Sequence, residues 1–200
     1  MSWRTLVLAS ASPARLRLLK DAGFNPKVAI SGIDETQVVS SGLPDLVQEL
    51  AERKARAVVR PAGTSVVVGC DSMLEFDGTP HGKPESESEA RRWLRSMRSG
   101  TGTLFTGHCL VDEESGREAC GTGATLVHFG PISDEEIDAY LSTGEALNVA
   151  GAFTLDGRSA PFVRGVEGDP SNVIGLSLPL FRSLLSQLGL SISELWKRPN

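Results

Sequence analysis

The sequence predicts a mixed α/β fold, a sheet of parallel and antiparallel strands covered by helices, and three features predict it. Strand-like and helix-like segments interleave along the 200 residues. Ser65-Val66-Val67-Val68-Gly69-Cys70-Asp71-Ser72 is apolar without alternation, as a strand buried on both faces should be. Residues 103–112 and 118–129 do alternate and are joined near Glu114-Ser115-Gly116, which puts a hairpin in the middle of the chain.

In order, Leu6-Val7-Leu8 is a short strand running into the turn Ala9-Ser10-Ala11-Ser12. Ser12 suits a helix cap, Pro13 its first position and Gly23 its end. Pro26 to Ile30 reads as a second strand, emptying into a loop that ends in Asp34-Glu35. A helix is predicted from about Asp45 to Arg60; Leu46, Val47, Leu50 and Val58 lie on its apolar stripe, and Lys54 falls on that stripe too. Asp77-Gly78 marks a turn after the buried strand. Ser86 to Glu89 is a capping box for a helix that turns Trp93, Leu94 and Met97 inward and closes at Gly100. Gly100 to Gly102 is the best place for a change of lobe within one domain, residues 1–200. Ser133 to Glu136 is a second capping box, opening a helix with Ile137, Tyr140 and Leu141 inward. The glycine-rich stretch from Ala146 to Gly168 is predicted to hold short strands and tight turns. Pro179 to Leu188 is an amphipathic helix, and Ser191 to Glu194 caps a last short one. Trp93, Phe181 and Trp196 sit at helical spacing and read as core.

With 40% hydrophobic and 22% charged residues the chain can build a proper core. A net charge of -5 argues against broad binding to nucleic acid or anionic membrane, while a local basic cleft stays open. No apolar run reaches membrane-spanning length. Cys70, Cys109 and Cys120 form no close pair in sequence and no metal-type spacing; an odd count without a leader predicts reduced thiols in a cytoplasm.

Several positions carry chemistry, each with an ordinary alternative. Arg15 lies in the first turn of its helix, where a cation is disfavoured by roughly 0.3–1 kcal/mol unless an anion stands in front of it. Arg15, the free first-turn amides and the serine turn therefore suit a phosphate, though an arginine in water is the bland reading. Asp71 stands where the buried strand turns polar, the place where α/β sheets collect ligands; it reads as a general base or metal ligand, or as the start of a turn. Lys54 on an apolar stripe must snorkel or find an anion. Lys83 lies between Gly82 and Pro84; Gly78 to Lys83 is no P-loop, because the spacer is a residue short and Pro84 replaces the Ser/Thr. Asp34-Glu35 offers loop oxygens of the kind Mg²⁺ shares with substrate phosphates, or a solvated acidic turn. His81, His108 and His128 show no ligand spacing, and Phe153 could stack on a base. Jointly, three isolated cations, two acidic spots and a serine turn suit a polyphosphate with a divalent metal.

Leu8-Ala9-Ser10-Ala11-Ser12-Pro13-Ala14-Arg15 resembles the opening signature of the Maf family of nucleoside triphosphate pyrophosphatases. The resemblance continues through Asp34-Glu35, Glu52-Arg53-Lys54-Ala55, Gly69-Cys70-Asp71-Ser72 and Gly82-Lys83-Pro84, then Ala150-Gly151-Ala152-Phe153 and Gly168 to Leu176, in order over nearly the whole chain. It implies an α/β fold related to inosine triphosphate pyrophosphatases, with two lobes around a central cleft, and a homodimer. It implies hydrolysis of a nucleoside triphosphate to monophosphate and pyrophosphate with Mg²⁺ or Mn²⁺, house-cleaning of nucleotide pools, and a link to arrest of cell division. By the resemblance Asp71 is the proton acceptor, Ser10, Arg15, Lys54 and Lys83 handle phosphate, and Glu35 with Asp71 handles metal.

From the charges, Asp71 takes a proton from the water attacking the α-phosphorus while Lys54, Lys83, Arg15 and the turn amides stabilise the departing pyrophosphate. Relatives that prefer dTTP and UTP carry arginine where this chain has Ala14, threonine at Ser72 and glutamine at Asp156. An aspartate only accepts hydrogen bonds, and guanine offers adjacent N–H donors, so a guanine-type or 7-methylguanine base is the expected preference. A non-catalytic nucleotide-binding regulator of cell division is the alternative. A nucleic-acid-binding module lacks the basic stripe with interleaved aromatics it would need.

Overall fold

A computed structural model describes residues 3–38 and 40–196. Its elements are β1 (Leu6–Leu8), α1 (Pro13–Asp21), β2 (Lys27–Val28), α2 (Leu43–Arg56), β3 (Val66–Phe76), β4 (Thr79–His81), α3 (Glu87–Met97), β5 (Thr101–Asp112), β6 (Arg117–Phe129), α4 (Asp134–Leu141), β7 (Val163–Glu167), α5 (Pro170–Ile174) and α6 (Leu178–Gln187). Short 3-10 turns fill several of the connections, among them Glu35–Gln37. The strands form one mixed sheet in the order β2-β1-β3-β5-β6-β7, with β4 added to the far end of β3. β1 runs parallel to β2 and β3, and the other pairings are antiparallel.

β3 organises the sheet. Along one edge it pairs with β5 from Val66 to Glu75. Along the other, β1 pairs with Val66–Val68 and β4 with Leu74–Phe76. Among the described residues no strand pairs with 69–73 on that second edge, and this gap leaves the edge of β3 open there. Asp71 was expected at the end of the strand; instead β3 runs on to Phe76 because β5 keeps pairing with it. What ends near Asp71 is the neighbouring strand β1.

Side-chain alternation divides the core between the two faces. Leu6, Leu8, Val66, Val68, Cys70 and Leu110 point toward α1 and α6, meeting Leu19, Phe181, Leu184 and Leu185. Val67, Cys109 and Val111 point toward α2. α2 lies directly on the strands at two glycines: a Cβ on Gly69 would stand 2.2 Å from the Ala51 carbonyl oxygen, and one on Gly107 would stand 2.1 Å from that of Val47. Two further clusters, around Phe129 and Phe153 and between α3 and α4, fill the other end of the molecule.

Several boundaries differ from expectation. α2 spans Leu43–Arg56, with Pro44 in its first turn, so Ala57 caps it instead of extending it. Residues 100–102 carry the chain from α3 into β5, with Gly100 packed against the Phe76 ring. The Gly168–Leu176 motif contains a helix, α5, which Asp169 caps by accepting from the Ser171 amide. Trp196 is not core: it is 46% exposed, its ring lying over Gly23. Ser133 forms the full capping box expected of it.

Candidate functional site

A cleft of about 670 Å³ opens at the gap beside β3. Its wall includes Ser10, Ala14, Arg15, Glu35, Lys54, Asp71, Ser72 and Lys83, contributed by the β1–α1 turn running into the first turn of α1, the loop after β2, α2, β3 and the loop after β4. The structure thus brings together residues from five separate segments. Asp156, the remaining member of the predicted set, is not on the wall.

Lys54 reaches the cleft because of how α2 sits. Gly69 and Asp71 are two residues apart on β3 and share the face that α2 covers. The close approach at Gly69 brings the inner face of α2 over that strand, and Lys54 Nζ donates to Asp71 Oδ1 at 2.6 Å. The same ammonium pairs with Glu35 Oε1 at 2.8 Å. Lys54 and Asp71 are 9% and 8% exposed, whereas the Glu35 side chain is about half exposed. Two carboxylates of different accessibility thus converge on one cationic point.

Arg15 is held differently. It is 8% exposed, and its guanidinium donates through Nε to the Gly175 carbonyl (2.6 Å), through Nη1 to Ser10 Oγ (3.0 Å) and through Nη2 to Ser72 Oγ (2.9 Å). All three acceptors are neutral, and Arg15 forms no ion pair among the described residues. A buried cation without a carboxylate leaves the surrounding cleft positive and receptive to an anion. Ser10 Oγ also accepts from the Ser12 amide at 3.2 Å, so its hydroxyl proton remains for a further acceptor. Ser12 caps α1 as expected, accepting from the Arg15 amide at 3.3 Å.

By the family comparison Ser72 is a base-selecting position. Its hydroxyl instead faces inward, 2.9 Å from Thr106 Oγ1, and Thr106 gives its own single proton to the Asn172 carbonyl at 3.0 Å. Ser72 must therefore donate to Thr106 while accepting from Arg15, which makes it a positioning residue for the guanidinium. Thr106, Asn172 and Gly175 were not picked out individually. Their signal in the sequence was limited to the Gly168–Leu176 motif, and Thr106 gave none.

Asp156 lies behind the wall. Its carboxylate accepts from Arg17 and from the Thr154 hydroxyl, and these two bonds hold it below the usual carboxylate range against the opposing effect of burial. Thr154 itself lines the cleft. Phe153, offered as a base-stacking residue, also touches the cleft but is 4% exposed and packs edge-to-face on Phe129. Lys83 sits on an exposed loop, whose preceding Gly82 carbonyl accepts from the Gly151 amide at 2.9 Å.

His108 lies beneath the site. Its Nδ1 is 3.0 Å from the Thr106 carbonyl and its Nε2 accepts from the Ser177 amide at 2.8 Å, which assigns the proton to Nδ1. Burial, with Arg15 nearby, pushes its pKa down to about 4 and keeps the ring neutral. With both ring nitrogens engaged, it braces the start of α6 through the Ser177 amide.

Glu35 and Asp71 are oxygen donors of the kind a small divalent cation takes alongside substrate phosphates. Their convergence on the Lys54 ammonium places them at a point already built for positive charge.

A family sequence model described as Maf-like protein matches residues 5–188. The chain is 53% identical to a nucleoside triphosphate pyrophosphatase of Streptomyces coelicolor over 195 residues, covering 96% of this chain and 95% of that one. It is 47% identical to a protein of the same name from Synechocystis sp., covering 96% and 98%. Among solved structures it is similar to a HAM1 protein from Coxiella burnetii, with a TM-score of 0.42 at 15% identity over 63% of this chain and 73% of that one.

Proposed function

This chain belongs to the Maf-like family, and we propose on that premise that it is a nucleoside triphosphate pyrophosphatase, a hydrolase that cleaves a nucleoside triphosphate to the monophosphate and pyrophosphate. The observation that carries the reading is the charge arrangement of the cleft. A buried arginine without a counter-ion stands beside a lysine that gathers two carboxylates. That pattern suits a linked run of phosphoryl groups better than a single anion.

The residues divide the work as follows. Arg15 and the Ser10 hydroxyl bind phosphate oxygens, with Lys83 adding an exposed point charge from the rim. Lys54 engages Asp71 through Oδ1, so Oδ2 is the oxygen that takes the proton from the attacking water. Lys54 holds that carboxylate in place and stabilises negative charge on the phosphate chain as the anhydride bond breaks. Glu35 and Asp71 would hold Mg²⁺ or Mn²⁺, which supplies Lewis-acid polarisation of the phosphoryl oxygens when bound. The base is of the guanine or 7-methylguanine type. The Thr154 hydroxyl gives its proton to Asp156 and accepts the Asp156 amide at 3.2 Å, so it offers the cleft an acceptor and no donor. Guanine's Watson–Crick N–H groups need such an acceptor. The setting this reading implies is one domain acting as a homodimer in the cytoplasm; no helix among the described residues is long and apolar enough to cross a membrane.

The test is release of pyrophosphate from a panel of normal and modified nucleoside triphosphates, with and without Mg²⁺, using Asp71→Asn as control. Metal-dependent release by the native chain, with turnover lowered roughly 10²–10⁴-fold in folded Asp71→Asn, is expected. Binding of triphosphates without release would favour a non-catalytic regulator, and near-normal turnover in the variant would remove Asp71 from the mechanism.

A further inference from the structure

The three cysteines looked unrelated in sequence, but the fold sets two of them side by side. Cys109 on β5 faces Cys120 on β6 directly across the antiparallel ladder, and their Sγ atoms are 2.7 Å apart. Directly opposed residues of such a ladder have Cα atoms about 4.5–5.5 Å apart, within the span of a disulfide. Glu118 brings a third donor atom to within 4.8 Å of both sulfurs, so a metal site needs weighing. Two thiolates bound to one tetrahedral zinc at about 2.3 Å stand roughly 3.7 Å from each other, wider than this pair. The Glu118 carboxylate is also engaged by Arg56, through Nε at 3.1 Å and Nη2 at 2.7 Å. Both facts favour a bond between the sulfurs over an ion between them.

We propose that Cys109 and Cys120 form a redox-active dithiol that closes reversibly to an intrachain disulfide when the protein meets a hydroperoxide. Cys120 is the half-buried member and Cys109 the buried one, so Cys120 meets the oxidant and Cys109 resolves it. The Cys120 thiolate attacks the hydroperoxide, the O–O bond breaks, and Cys120 becomes a sulfenic acid while water or an alcohol leaves. Cys109 sulfur then attacks Cys120 Sγ; the S–S bond forms, and the sulfenic oxygen departs as water with the proton that Cys109 gives up. The two thiols lose two electrons in total and the hydroperoxide gains them. A dithiol reductant reverses the step by exchange.

The surroundings suit those roles. The hydrogen bond with Cys109 is the largest influence on Cys120 and holds its thiol below the usual value, against the opposing effects of burial and of the Glu52 and Glu118 carboxylates. Cys70 is fully buried on the other face of the sheet and is pushed up to about 12 by burial, so it serves as an internal control. The pair packs with Ala9 and Ala55, the immediate neighbours of Ser10 and Lys54, so the cross-link stiffens the layer directly behind the cleft.

The sequence makes the test direct. Arg117 lies between the two cysteines, so trypsin places Cys109 on the peptide 99–117 and Cys120 on 118–158, with Cys70 on a third. The reduced full-length chain is treated with hydrogen peroxide, alkylated, digested and mapped by mass. The expected result is peptides 99–117 and 118–158 joined within one chain, released by dithiothreitol, with Cys70 alkylated and a melting temperature raised by roughly 5 °C on oxidation. Cys120→Ser should show no joined peptide. The proposal is overturned if both thiols of the native chain remain free after peroxide. A link through Cys70 or between two chains overturns it as well, as does stoichiometric zinc that protects the pair from alkylation.

Discussion

Lys54 Nζ lies 2.6 Å from Asp71 Oδ1, across the interface between α2 and β3, and both groups are largely shielded from water. Removing one partner of such a pair strands the other, at a cost of about 3 kcal/mol. Lys54→Met should therefore lose stability in urea by about that amount and also lose turnover. Lys54→Arg should recover stability better than activity, since a planar fork replaces a point charge. Equal recovery of both would mean that Lys54 only holds the fold together.

Arg15 makes three directed bonds that an ammonium cannot reproduce. Arg15→Lys is expected to lower kcat/KM by roughly 10–100-fold, as loss of charge-assisted hydrogen bonds implies. Ser72→Ala removes one of the three and should cost about tenfold or less. Steady-state kinetics on the preferred triphosphate separates the two, and a Ser72→Ala loss as large as that of Arg15→Lys would contradict a positioning role.

Gly107 and Gly69 let α2 touch the sheet. A methyl group at Gly107 would stand 2.1 Å from the Val47 carbonyl oxygen, a contact that backbone must relieve. Gly107→Ala should destabilise the protein by roughly 1–3 kcal/mol in urea unfolding. Because Lys54 rides on the displaced helix, the folded fraction should also be less active. Unchanged stability would show that α2 can shift freely.

His108 predicts a specific acid sensitivity. Its ordinary value is 6.5 and burial lowers it to about 4 in the folded protein. Between those values the unfolded chain takes up a proton that the folded one excludes, so stability is full above pH 6.5 and falls as the pH drops toward 4. The loss attributable to this group is about 3 kcal/mol. Urea midpoints across that range should fall less steeply in His108→Gln; identical slopes would exonerate His108.

Base selection is predicted to run through Thr154 and Asp156 as a unit. Asp156→Gln should weaken the preference for guanine-type triphosphates relative to dTTP, because the Thr154 proton is no longer committed to a carboxylate. Thr154→Val should weaken it further. A substrate ranking insensitive to both would place recognition elsewhere on the wall.

Local chemistry made much of this protein legible in the sequence. Ser12, Ser133 and Ser191 announce helix starts through a hydroxyl three or fewer residues from the amide it accepts, and the 65–72 run announces a strand by apolar residues that do not alternate. Asp71, Lys54 and Arg15 stood out as charges in places where charge is expensive, and that expense is visible without coordinates. What the residues alone determined were these local elements and a short list of misplaced charges.

Only the tertiary structure decided how they meet. The gap beside residues 69–73 depends on where β1 stops and β4 begins, and no property of β3 itself encodes it. The inward turn of Ser72, the retreat of Asp156 behind Thr154 and the facing thiols of Cys109 and Cys120 depend on strand register and on contacts between segments far apart in the chain. Such contacts are set by packing summed over the whole sheet, so the order of residues along a single segment carries no trace of them.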